Sequence, residues 1–283
     1  MLVLCCGMIR SGSTLQYNLA RQLVEASGRG ETYGWASEDG GGVPRDEIER
    51  VAAADRMYVV KSHDLLGIDR DPLPEGSFAL CYSYRDLRDV AGSAKSHWDL
   101  ESDELIARLR EALAAYDRVE RMPSCLTQSY EVLTGDPARA AREINEHLRL
   151  GLDPDDAARL ADEWSIDKVE ASGVTREITW VKRAKRGVRS VGLETPVGAL
   201  YRLLPMSVRS KLQPVHRDDS LLHPGHISRL TKQGVPSRAA LTPDELRRTL
   251  EIGGDWLAAR GYELDDAGPS PAAPADTPAA PGS

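Results

Sequence analysis

The chain has 283 residues, 41% hydrophobic and 28% charged, the composition of an ordinary soluble globular protein. At that length one large α/β domain or two smaller ones can bury a sizeable core. A net charge of −8 argues against coating nucleic acid through bulk charge, so no nucleic-acid partner is expected, although local basic patches can still bind anions.

Residues 2–6 (LVLCC) form a short unbroken apolar run, as a buried parallel strand does. Leu15, Leu19, Leu23 and Val24 then recur at helical spacing up to Gly28. Strand-like runs return at 57–61 (MYVVK), 78–84 (FALCYSY) and 124–128 (SCLTQ), with helical patterns at about 46–54, 86–98, 103–121 and 137–148. This alternation predicts an α/β fold of three layers, a central parallel sheet with helices on both faces. From about residue 154 the pattern is mainly helical. Its last helix is marked by Thr242 as N-cap, Pro243 in the first turn and Glu245 as capping-box acid, and it ends near Gly261. Residues 265–283 hold five prolines and no large apolar residue, so a disordered tail is expected.

Cys5, Cys6, Cys81 and Cys125 lie in or beside strand-like runs without metal-site spacing and read as reduced core thiols. The opening apolar run is short and lacks the basic flank of a signal peptide, and no stretch approaches the length of a membrane span. A cytoplasmic setting is the expectation.

The chemistry begins at Gly7–Thr14 (GMIRSGST). Against the phosphate-loop pattern G-x-x-x-x-G-K-S/T both glycines and Thr14 fit, but Ser13 stands where the lysine should be. That lysine serves the β- and γ-phosphates, so triphosphate chemistry would lack its main cation. The loop still offers a helix N-terminus, the hydroxyls of Ser11, Ser13 and Thr14, and Arg10, a set suited to a compact anion. The second strand-like run ends in Lys61-Ser62-His63, which places Lys61 and His63 at the edge where open parallel sheets bind ligands, both facing the same way. The third ends at Arg85, with Ser93 eight residues on, and the two can converge on one phosphate. Read separately, each piece is also compatible with an ordinary strand-to-helix turn, a surface histidine or an exposed arginine beside a helix start at Asp86.

Together these motifs resemble the PAPS-dependent sulfotransferases, whose donor is 3′-phosphoadenosine 5′-phosphosulfate. The family's loop reads like Y-P-K-S-G-T-S/T, similar to MIRSGST with Arg10 in the lysine position. Its K-T/S-H strand end matches Lys61–His63, and its R-x-x-x-D-x-x-x-S matches Arg85, Asp89 and Ser93. SYEVLTGDP resembles a segment whose tyrosine contacts adenine, here Tyr130. SRLTKQGVPSRAALTPDEL looks loosely like the R-K-G loop, here Arg229, Lys232 and Gly234 at altered spacing.

The resemblance covers 2–150 and about 226–262 and implies a P-loop-type fold in one domain over 1–264, with 151–225 on the acceptor side. It implies PAPS as donor, PAP as product and no metal. Catalytic roles fall to His63 as base with Lys61 and Arg10, and donor binding to Arg10, Ser11, Gly12, Ser13, Thr14, Arg85, Ser93 and Tyr130. Some carbohydrate-acting relatives use a glutamate base, for which Glu31 and Glu38 are the reserves. A small-molecule kinase on the same scaffold and a noncatalytic nucleotide-binding relative are the alternatives. The K-x-x-x-T-V dimer motif of the cytosolic branch is absent.

The acceptor is less constrained. Lys182, Arg183, Lys185, Arg186 and Arg189 read either as a solvated helix face or as an attractor of an anionic acceptor. Pro196–Leu212 reads as a packed lid helix or as a membrane-surface contact for a lipid-linked acceptor. His216, His223 and His226 have poor metal spacing. Phenol- and steroid-sulfating relatives line their pockets with phenylalanines; with Phe78 the sole one here, the resemblance implies a more polar acceptor, a small molecule or a carbohydrate.

Overall fold

The computed structural model describes residues 1–36, 44–162 and 235–264. The expectations for Glu38, the basic and lid segments, the three C-terminal histidines, Arg229, Lys232, Gly234 and the tail lie outside those residues.

Among the described residues five strands make one all-parallel sheet: β1 (Leu2–Gly7), β2 (Gly30–Trp35), β3 (Met57–Lys61), β4 (Phe78–Tyr84) and β5 (Cys125–Ser129), in the order β2-β3-β1-β4-β5. β1 is buried along its whole length, which is why its sequence is an unbroken apolar run rather than an alternating one. Its two faces still differ. Val3 and Cys5 join a core with α1 (Ser13–Ala26), α6 (Pro137–His147) and α7 (Pro154–Asp162), while Leu2, Leu4 and Cys6 join one with α2 (Arg45–Ala52) and α4 (Ser102–Val119). Each fully buried leucine or valine in these layers contributes about 1.5–3 kcal/mol. A third cluster packs α3 (Leu87–Trp98) and α4 against the last described helix, α8 (Pro243–Ala259), through Leu87, Leu105, Leu109 and Leu257. The α/β sandwich expected from the alternation is therefore present, and Thr242 and Glu245 form the capping box of α8.

β2 was not foreseen. GETYGW carries two glycines and a half-exposed pattern, so it lacks the apolar signature of a buried strand. It survives as an edge strand because Gly30 lets the chains approach: a Cβ there would lie 2.2 Å from the Met57 carbonyl oxygen. The short helix α5 (Tyr130–Gly135), capped by the Ser129 side chain, follows β5 directly.

The chain leaves β1 towards β2 on one side and β4 towards β5 on the other. The carboxyl ends of β1 and β4 thus form the switch point at which open α/β sheets bind ligands. No helix among the described residues is long and apolar enough to cross a membrane.

Candidate active site

The loop after β1 is shaped by two close approaches. A Cβ on Gly7 would sit 2.2 Å from Ser83 Oγ and 2.6 Å from the Ser83 carbonyl oxygen, so only glycine lets β1 and β4 close at this point. Ser11 then ties the loop down: its hydroxyl lies 2.6 Å from the Met8 carbonyl and 3.0 Å from the Ser83 carbonyl, and shares a 2.7 Å bond with Ser83 Oγ. The hydroxyl expected to hold an anion is thus fully buried and committed to the scaffold. Arg10 (φ 60°) and Gly12 (φ 86°) are left-handed and turn the chain into α1. A non-glycine residue in that region costs on the order of 1 kcal/mol, strain of the kind that gathers at functional sites.

α1 begins at Ser13 with no side-chain cap and no acid in its first turn, whereas α3 is capped by Asp86 and α8 by Thr242. The first N–H groups of α1 have no partner within the helix and face an end carrying the positive pole of its dipole. That end suits an anion.

Lys61 reaches the loop from the neighbouring strand. Its ammonium, only 1% exposed, donates to Ser13 Oγ at 2.7 Å and to the Ser62 carbonyl at 3.1 Å. The cation absent from position 13 is therefore delivered to that position from β3. Burial lowers the Lys61 pKa to about 8, leaving it mainly charged at neutral pH. Beyond it, Ser62 and Asp64 lock the turn: Ser62 Oγ donates to Asp64 Oδ1, which also accepts from the Leu66 N–H. Between them His63 stands exposed, edge-on to Trp35 with ring centres 4.5 Å apart. Surrounding protein and, secondarily, the Lys61 charge lower its pKa to about 4. At neutral pH the ring is unprotonated, as it would be at its ordinary 6.5.

On the β4 side, Arg10 Nε donates to Ser93 Oγ at 3.0 Å, joining the loop to α3. Arg85, 6% exposed, lays its guanidinium over the Tyr130 ring at 4.0 Å, and its Nε has no hydrogen-bond partner among the described residues. Burial and then the charge of Arg85 lower the Arg10 pKa. Tyr130 also closes on the loop: a Cβ on Gly12 would lie 3.0 Å from its ring. Asp89, the middle residue of the Arg85/Ser93 motif, points elsewhere. It accepts from the Arg238 N–H at 2.9 Å and stands 3.9 Å from Arg85. Asp86 is more than a first-turn acid, since it caps α3 and holds the buried Arg88 through two hydrogen bonds, at 3.0 and 2.7 Å.

Arg10, Gly12, Ser13, Lys61, His63, Arg85, Ser93 and Tyr130 thus meet at one rim. Glu31 does not. It is level with Leu2 and Tyr58 at the opposite end of the sheet, where its side chain lies 3.8 Å from Arg56. Two further residues belong to the rim and were missed in the sequence. Trp35 ends a strand that was not foreseen. Arg238 lies on a 3-10 turn (Ser237–Ala240) that docks on α3, where Gly92 is essential: a Cβ there would be 1.9 Å from the Ser237 carbonyl oxygen. Its guanidinium stands 3.5 Å from Asp86 and 3.8 Å from Asp89. The signal for Arg238 was its place just before the capping box, not a motif.

Beside His63 a cavity of about 570 Å³ opens between the end of β1, the turn after β3 and α4. Cys6, Met8, Ile9, Leu65 and Tyr82 give it apolar walls, and charged side chains ring it.

No protein-family model matches the chain, and no curated protein matches it in sequence. Among solved structures it is similar to retinol dehydratase in complex with androsterone and the inactive cofactor PAP, at 14% identity and a TM-score of 0.49, over 90% of this chain and 80% of that one. It is similar to retinol dehydratase in a complex with retinol and PAP, at 17% identity and a TM-score of 0.40, over 60% of this chain and 66% of that one. It is also similar to the mouse sulfotransferase SULT7A1 complexed with PAP, at 12% identity and a TM-score of 0.42, over 59% and 65% of the two chains.

Proposed function

We propose that this chain is a PAPS-dependent sulfotransferase that moves a sulfuryl group from PAPS to a hydroxyl or amine of a small-molecule or carbohydrate acceptor. The observation that carries the reading is the pair of anion-seeking sites at one switch point. One is the uncapped start of α1 with Lys61. The other is Arg85, its Nε unpartnered, with Ser93 on the helix that follows it and joined to the loop by Arg10. A donor with phosphates on both ends of one ribose fits two such sites; a triphosphate fits one.

In this reading the N–H groups of Ser13 and Thr14, with Arg10 and Lys61, hold the 5′-phosphosulfate. Arg85 and Ser93 hold the 3′-phosphate, and Tyr130 lies against the adenine. Ser11 serves as the tie of the loop rather than as a ligand. His63 takes the acceptor's proton as the acceptor oxygen or nitrogen bonds to sulfur. The sulfur–oxygen bond to the 5′-phosphate breaks in line, and its electron pair leaves with PAP. Charge grows on that phosphate oxygen in the transition state, where preorganised donors act most strongly. A neutral imidazole is ready to accept the proton. Arg229, Lys232 and Gly234 complete the 3′-phosphate site on the strength of the resemblance alone, and the expectation of an anionic or lipid-linked acceptor rests on 182–212; all lie outside the described residues.

Incubation with labelled PAPS and a panel of alcohols, amines and sugars tests the proposal. Sulfated product that disappears in His63→Ala supports it; phosphorylated product from ATP instead would replace it with the kinase reading.

A further inference from the structure

The cavity beside His63 also carries information on what enters it. This inference rests on the sulfotransferase reading only for the identity of the acceptor's reacting group. The charges around the cavity are nearly all engaged by protein. Arg118 donates to Asp69 at 2.8 Å, and Arg108 holds Glu104 at 2.8 Å while its guanidinium stands over the Trp98 ring at 5.8 Å. Asp64 is occupied by Ser62 and the Leu66 N–H, and Arg70 is engaged as well. Glu111 differs: among the described residues it has no hydrogen bond, ion pair or ring contact. It lies on α4 between Arg108 and Ala115, on the helix face that Ala112 and Arg118 also turn to the cavity.

We infer that the cavity receives a hydroxyl-bearing organic cation, with its protonated amine on Glu111, its apolar body on the Met8, Leu65 and Tyr82 walls, and its hydroxyl at His63. A carboxylate acceptor would set like charge against Glu111, with the neighbouring arginines already paired. A neutral one gains nothing from Glu111, which is exposed, whereas an ammonium gains an ion pair at the rim. The volume of about 570 Å³ fits a small molecule of this kind. This assigns the acceptor the sign opposite to the one that the basic segment 182–189 suggested.

Three phenols of one shape and different charge test it: tyramine, 4-ethylphenol and 3-(4-hydroxyphenyl)propionate. Their affinities for the full chain are measured by calorimetry with and without PAP, so that failure of the donor reading (no PAP binding) is seen separately from failure of this one. The expected order is amine, then neutral phenol, then carboxylate. The amine should lead by about fivefold, an advantage that shrinks in high salt, as for a rim ion pair. Glu111→Gln abolishes the amine's lead without changing 4-ethylphenol binding, and Glu111→Lys reverses the order. Any other order in the wild type, no detectable binding of the amine, or a lead that persists in Glu111→Gln overturns the inference.

Discussion

Lys61 and His63 are two residues apart, yet they live in different halves of the site. Lys61 is tied to Ser13, Ser11 to Ser83 and Ser93 to Arg10, so that the loop between β1 and α1 has one shape, while Arg85 beside it is buried with its Nε unpartnered. His63 and Glu111 stand exposed around an open cavity, with the exposed Trp35 edge-on to His63. In the proposed reading, a donor common to many reactions is met by the rigid half. An acceptor that differs from enzyme to enzyme needs a wall whose residues can change without breaking the sheet.

The largest effect that would sharpen this contrast is on chemistry alone. His63→Ala should lower turnover about 10²–10⁴-fold, the range of a lost general base, and leave PAP affinity unchanged in calorimetry. A parallel loss of PAP binding would mean that His63 belongs to the tied half. Arg85→Gln should do the reverse, weakening PAP about 10–100-fold as charge-assisted bonds are lost. Gly92→Ala should lower stability by about 1–3 kcal/mol in denaturant unfolding, because the added methyl group would drive the Ser237 turn off α3. Trp35→Ala should reduce kcat about two- to tenfold with little change in the donor's KM, through loss of the edge contact that fixes the His63 ring, and Trp35→Phe should restore much of it.

The smallest effect is a pH response. Lys61 has a folded pKa of about 8 against the ordinary 10.5, so between these values the unfolded chain binds more protons. Stability should therefore rise with pH from about 8 to 10.5, while kcat/KM falls above about 8 as the ammonium loses its charge. His63 likewise binds fewer protons folded than unfolded between about 4 and 6.5, so the stability it governs is lost as pH falls through that window. Lys61→Gln should remove the alkaline limb.

The tied half was also the legible half. Residues 57–61 and 78–84 are strands as the apolar runs predicted, because burial on both faces of a parallel sheet leaves a continuous signature. The placement of Lys61, Arg85 and Ser93 at the rim was legible from the ends of those runs. The open half was harder to read. β2 is an edge strand with two glycines, so Trp35 had no pattern to place it. The Ser11 hydroxyl was hard to read because in sequence it looks the same whether it faces a ligand or, as here, Ser83. Glu111 is one acid among several on an amphipathic helix, and only the pairing of its neighbours sets it apart.

The central claim is that one rim holds phosphates at two separate places. Calorimetric titration of the wild-type chain with PAP, adenosine 5′-phosphate and ATP tests it directly. PAP should bind about 10–100-fold more tightly than adenosine 5′-phosphate, because only PAP reaches Arg85 and Ser93, and also more tightly than ATP. Equal affinity for PAP and adenosine 5′-phosphate, or a preference for ATP, would contradict the account.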